Sequence, residues 1–148
     1  MNKKLKYALI GVLVVTVIGV LIWLKVNKPV NDFSDVSPKA VYSFKDIMDK
    51  TTGDTSSTNK LIGELVEVIG TIKTITRDSA STTVELGDTA SLSSIICQID
   101  KRHQDDFNTF KEGQEVVIKG KISGFNIDTE LGLGNTIQMN YCSLHKNK

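Results

Sequence analysis

The stretch Val68-Ile69-Gly70-Thr71-Ile72 (VIGTI) has a counterpart fifty residues on, Ile118-Lys119-Gly120-Lys121-Ile122 (IKGKI). Each holds a glycine with a β-branched residue two positions to either side. Either the chain carries a repeat, or these are two strands of one sheet. The flanks decide between the two. Leu65 to Thr76 is rich in β-branched residues and alternates, with Val66, Val68, Gly70 and Ile72 on one face. It is long for a strand, and a glycine near its middle marks a bend, a bulge or a close backbone approach. Glu115 to Ser123 alternates in the same way, with Val116, Ile118, Gly120 and Ile122 pointing inward.

Between and beyond them the pattern continues. Ser81 to Leu86 and Ser93 to Ile99 read as strands, the latter with Ile95, Cys97 and Ile99 on one face. Then the period changes. Asp100 is placed as a helix N-cap, and Lys101 to Lys111 carries His103, Phe107 and Phe110 at i, i+4, i+7, with Gly113 just past the helix end. Gly124 to Gly134 reads as a loop and Asn135 to Leu144 as the last strand. The class is mainly β. Five strands with one helix between the third and the fourth is the order of an oligonucleotide/oligosaccharide-binding (OB) barrel. In such a barrel the first strand is bent and pairs with both the second and the fourth. VIGTI and IKGKI are then neighbours in a small closed sheet, where curvature favours residues without a Cβ. Nothing else recurs at their spacing, which argues against a duplicated unit.

Upstream, Tyr7 to Leu24 is uncharged and apolar over 18 residues, enough for a transmembrane helix, which needs about 18–20. Lysines flank both ends, and Tyr7 and Trp23 sit where interfacial aromatics are expected. A cleaved signal peptide is the competing reading. The run is long for one, no small-x-small site follows it, and no cysteine near its end would support lipoprotein processing. An uncleaved anchor is therefore expected. Lys3, Lys4 and Lys6 against Lys25 and Lys28 place the N-terminus in the cytoplasm and the domain in the periplasm, a single pass through the inner membrane. Residues 1–6 are then a cytoplasmic N-terminus, 7–24 the anchor and 25–42 a stalk. Residues 43–62 form a short helical segment, begun by the capping-box spacing of Ser43 to Asp46, and 63–148 the OB domain.

Charge is segregated along the chain. Five of the 18 Lys and Arg precede Pro29, while all 17 Asp and Glu follow it. The part after Lys28 therefore holds 13 basic against 17 acidic residues, a net of −4, the wrong sign for non-specific attraction to phosphate backbones.

With these residues in hand, the chain resembles the tRNA-anticodon-like OB-fold family of membrane-anchored bacterial proteins. The likeness is carried by the N-terminal apolar segment, Asn27-Lys28-Pro29, Asn59-Lys60-Leu61, the V-x-V-x-G-x-I of Val66 to Ile72, Cys97, the run Gly113 to Gly124 (GQEVVIKGKISG), Asp128 and Cys142. It covers most of the chain. It implies the OB fold and a membrane anchor, and no activity. The segment between Asp128 and Cys142 departs from the pattern through an added glycine-rich ELGLGN (residues 130–135), in a loop that in OB folds often helps bind ligand.

For chemistry, strands three and five are neighbours in an OB barrel, so Cys97 and Cys142 face each other as a disulfide outside the cytoplasm or as two free core thiols. Cys142 and His145 have C-x-x-H spacing, but only His103 and Cys97 could complete a metal set, and none is expected. His103 is placed at the solvent end of the helix stripe. No nucleophile elbow, zincin motif or phosphate loop occurs, and neither catalysis nor a cofactor is expected. Single-stranded nucleic acid would need cations beside aromatic platforms. Lys73, Arg77, Lys119 and Lys121 are the candidate cations, Phe125 and Tyr141 the aromatics, and Asp128 a candidate polar contact. The acidic balance favours instead a non-catalytic, membrane-anchored module for a protein, a glycan or a small envelope ligand, with the nucleic-acid binder as the alternative.

Overall fold

The computed structural model describes residues 3–27, 31–53, 55–127 and 134–145, without the side chains of 3–10, 53, 55 and 57. The chain divides into two units, Met1–Asn31 and Asp32–Lys148. The first is one helix, α1 (Lys3–Val26). Among the described residues no helix is long and apolar enough to cross a membrane. Side chains are described from Gly11 on, so the part of the 7–24 stretch from Tyr7 to Ile10 lies outside them. Every large apolar side chain of α1 from Val12 to Val26 is exposed.

The second unit begins before the residues expected to start it. Inside the stretch expected as a stalk, Ala40–Ser43 forms a short strand, β1. Helix α2 (Phe44–Gly53) follows at once, capped as its sequence indicates: Ser43 Oγ accepts from the Asp46 N–H at 3.1 Å and donates to the Asp46 carboxylate at 2.7 Å. Helix α3 (Thr55–Leu61) leads into β2 (Leu65–Arg77). Then come β3 (Thr82–Leu86), β4 (Ser94–Ile99), a 3-10 helix (Lys101–Phe107), β5 (Glu115–Asn126) and β6 (Thr136–Leu144).

β2 to β6 close into a barrel of five strands, and β1 extends the sheet beside β2. β2 pairs with β5 from Leu65 to Thr71 and with β3 from Ile72 to Arg77. The change of partner comes just after Gly70, and the extra residue at Lys73 bulges the second half. VIGTI and IKGKI are thus antiparallel neighbours, with Val66 opposite Gly120, Val68 opposite Ile118 and Gly70 opposite Val116.

Their glycines have different reasons. A Cβ on Gly70 would meet Leu86 Cβ at 3.4 Å, an ordinary contact, whereas one on Gly120 would lie 2.5 Å from Cys142 Sγ and 3.0 Å from Met139 Cε. The core consists of the inward residues of all five strands, among them Val68, Ile72, Leu86, Ile95, Ile118, Ile137 and Met139, completed by Phe107 from the 3-10 helix and by Ile47 and Met48 from α2.

Two elements depart from expectation. The helix expected over Lys101 to Lys111 is a 3-10 helix that stops at Phe107, although Asp100 does cap it, accepting from the Arg102 N–H. Asn108 is tied to Asp105 through its backbone N–H and through its amide, which tightens the last turn and ends the helix. In β6, the pairing with β5 steps from Lys119↔Ser143 to Lys121↔Asn140, so one extra residue is accommodated opposite Gly120. Tyr141 takes it up in the left-handed region, φ 56°, a conformation costly for an L residue with a Cβ.

Candidate binding surfaces

The cations expected on the outer wall do not converge. Lys73 Nζ donates to the Ser91 carbonyl at 3.0 Å and lies 3.5 Å from the Glu85 carboxylate. Arg77 donates to the carbonyls of Phe107 and Phe110, closing the turn after the 3-10 helix. Lys119 points outward as its alternation requires but is buried, because residues 32–36 lie over it and the carbonyls of Ser34 and Val36 accept from its ammonium. Phe125 packs against the core rather than standing as a platform. Asp128 and most of the ELGLGN stretch (residues 130–133) lie outside the described residues. Lys73, Arg77 and Lys119 are therefore engaged within the fold.

The strap formed by residues 32–36 is the feature that sequence reasoning missed. Besides holding Lys119, it sets the Phe33 ring 5.9 Å from that of Tyr141, and the Lys121 ammonium lies 5.9 Å from the Phe33 ring centroid. At its start both Asp32 oxygens lie 3.1 Å from His103 Nε2, while His103 Nδ1 is 3.6 Å from Asp106. His103 is thus enclosed between two carboxylates with its side chain 11% exposed, rather than standing at the solvent end of a helix stripe.

The Asp32 carboxyl is held well below the usual carboxylate range, first by the Ser34 backbone N–H it accepts, against partial desolvation, and then by His103. A depressed folded-state pKa means that the contribution is complete above the ordinary value of 3.8 and is lost only as pH falls through the lower folded value. The strap is therefore expected to stay docked down to about pH 4 and to release in stronger acid. Tyr141 ring resonances followed by NMR would report it. Release above that range, or an unchanged profile in Asp32→Asn, would refute the assignment.

Cys97 and Cys142 meet in the core, as the adjacency of β4 and β6 requires, and are fully buried. The structure holds both as thiols, within hydrogen-bond reach of each other. The bulge at Tyr141 shifts the register, so Cys97 sits opposite Met139 and Cys142 opposite Ile99. Burial, and then the hydrogen bond with Cys97, push the Cys142 thiol well up. His145 bonds the buried Glu67 carboxylate through Nδ1 at 2.7 Å. Among the described residues no three His, Cys, Asp or Glu side chains are placed to hold a metal.

A concave surface lies elsewhere. A groove of roughly 350 Å3 runs between β1, the end of α3 and the start of β2. Ala40, Tyr42, Leu61 and Val66 form its apolar lining, and Lys39, Lys60 and Glu64 supply its charges. Lys39 and Glu64 pair at 2.7 Å, and the Lys50 ammonium lies 4.4 Å from the Tyr42 ring centroid. No sequence motif announced this groove. It exists because a four-residue strand, too short to show a period, aligns on β2.

The family model described as tRNA_anti-like matches residues 1–132. No curated protein sequence matches the chain. Among solved structures, a lipoprotein from Klebsiella pneumoniae subsp. pneumoniae, provisionally called nucleic acid-binding, aligns with TM-score 0.54 at 17% identity, over 80% of this chain and 100% of its own. Asparaginyl-tRNA synthetase from Entamoeba histolytica aligns with TM-score 0.42 at 17% identity over 76% of this chain. That from Pyrococcus horikoshii aligns with TM-score 0.40 at 13% identity over 60%. The chain spans only 25% and 21% of those two synthetase chains. At these identities the likeness concerns the fold.

Proposed function

The chain belongs to the tRNA_anti-like family, and from that premise we propose that it is a non-catalytic OB-type binding module, anchored in a membrane by α1 and facing away from the cytoplasm. The observation that carries the binding reading is the fate of the cations. Lys73, Arg77 and Lys119 are satisfied by the protein's own carbonyls, on a domain with a net charge of −4 after Lys28. Single-stranded nucleic acid binders need such groups free along a groove, interleaved with open aromatic faces. The Klebsiella protein's name points to nucleic acid, but 17% identity transfers no ligand. Among the described residues, the groove beside β1 is an open concavity, which suits a protein or small-molecule ligand.

The anchor is supported by α1. Its described large apolar side chains are exposed all round the helix, the pattern of a helix that lipid covers. Its Thr16 hydroxyl is satisfied by the Val12 carbonyl at 2.8 Å, as an apolar surrounding requires. Lys3, Lys4 and Lys6 at the start of α1, against Lys25 and Lys28 past the apolar run, support this orientation.

Two measurements test this reading. Residues 30–148 are expected to pass a single-stranded DNA column at low salt. Retention that falls steeply with salt, the mark of several phosphate contacts, would reverse the ligand class. For location the native cysteines are too buried to label, so Ser79→Cys, in the exposed turn after β2, serves as the reporter. In bacterial cells with a permeabilised outer membrane, a membrane-impermeant maleimide is expected to label it. Labelling only after lysis would place the domain in the cytoplasm.

A further inference from the structure

The groove beside β1 has features that select among ligands, and the following step rests on the binding-module reading. We infer that it docks an extended acidic peptide, which adds as a strand to the free edge of β1.

Three observations carry this. Among the described residues β1 is the terminal strand of the sheet, paired with β2 on one side only, and Val41 in it is 54% exposed. An unpaired edge presents a row of main-chain donors and acceptors to an incoming strand, and strand addition draws affinity from that row and specificity from pockets for alternate side chains. The groove alongside supplies such a pocket, with Leu61 and Tyr42 as partly exposed apolar contacts. Charge then sets the sign. Lys39 and Lys60 line the groove, Lys50 lies over Tyr42, and Glu64 is the acidic residue of the lining. A domain that is acidic as a whole is locally basic here, which favours carboxylates on the ligand.

The same geometry argues against a nucleobase. Stacking needs an open aromatic face, and the Tyr42 ring is covered by the Lys50 ammonium at 4.4 Å. A peptide carboxylate can take over the Lys39 contact without needing the ring.

The probe is a fluorescein-labelled peptide alternating Glu and Val, titrated by anisotropy against the full chain in detergent micelles. Saturable binding is expected. Lys60→Glu, at an exposed position, should weaken it by about tenfold or more. N-methylation of alternate peptide nitrogens should do the same by removing the main-chain donors. Lys121→Glu, on the strap face, should leave binding unchanged. The inference is overturned if a Lys/Val peptide binds equally well, if Lys60→Glu has no effect with the fold intact by circular dichroism, or if no peptide binds. A single-stranded oligonucleotide displacing the peptide would overturn the peptide assignment while leaving a binding module. Failure of the module's location is read separately, from the Ser79→Cys label.

Discussion

Gly120→Val is expected to leave the barrel unfolded or nearly so, and Gly120→Ala to cost about 1–3 kcal/mol, the range for overpacking a well-filled core. The space that a Cβ would enter is already held by Cys142 Sγ at 2.5 Å and Met139 Cε at 3.0 Å, both side chains wholly buried. A flexible surface side chain could swing aside. Cys142 cannot, because it is a fully buried residue of β6, next to the bulge and opposite Ile99 of β4. The decisive measurement is a double-mutant cycle in urea. If the clash with Sγ is the cause, Cys142→Ala combined with Gly120→Ala should be more stable than the two single losses summed, by about 1 kcal/mol. Strict additivity would show that Gly120 is needed for its backbone and not for its emptiness.

Phe107→Ala should be the most damaging truncation outside the strands, at about 3–5 kcal/mol. Phe107 is the largest fully buried side chain and the only fully buried one the 3-10 helix contributes. Its ring lies 5.9 Å from that of Phe110, which is partly buried and cannot fill the vacated volume without leaving its own place. Since domains of this size hold roughly 5–15 kcal/mol in total, the variant should melt early and bind hydrophobic dyes. Phe110→Ala, by contrast, should cost less than half as much. Equal effects from the two would mean that Phe107 does not close the core.

The strands were legible because β-branched residues alternate through Leu65 to Thr76 and Glu115 to Ser123, and because a period of two survives any detail of tertiary packing. The barrel followed from strand order, and with it the meeting of Cys97 and Cys142. The site was not legible in the same way. Alternation says that Lys119 points outward; it does not say whether anything lies on top. What lies on top is the backbone of Ser34 and Val36, more than eighty residues away in sequence, and a carbonyl leaves no mark on residue type. Arg77 and Lys73 misled for the same reason, since each is consumed by main-chain oxygens. β1 was invisible because four residues cannot display a period. The 3-10 helix kept its predicted cap and lost its predicted length, as capping is local and length depends on what the last turn packs against.

The bulge in β6 changes how the end of the chain must be counted. Before it, the odd residues Ile137 and Met139 face the core; after it, Cys142 does, an even one. Tyr141 is a phase shifter, one residue spent to put the two halves of a strand on opposite parities. Deleting it would join Asn140 directly to Cys142, so that Cys142 stays inward and Ser143 stays opposite Lys119 under the strap, in a strand without the bulge. His145 would keep its place against Glu67. A deletion at Tyr141 is therefore expected to keep the inward set of β6, whereas one more residue inserted beside it would have no slot to occupy and would put the positions to its C-terminus on the wrong face. The left-handed tyrosine acts as the frame marker of the last strand.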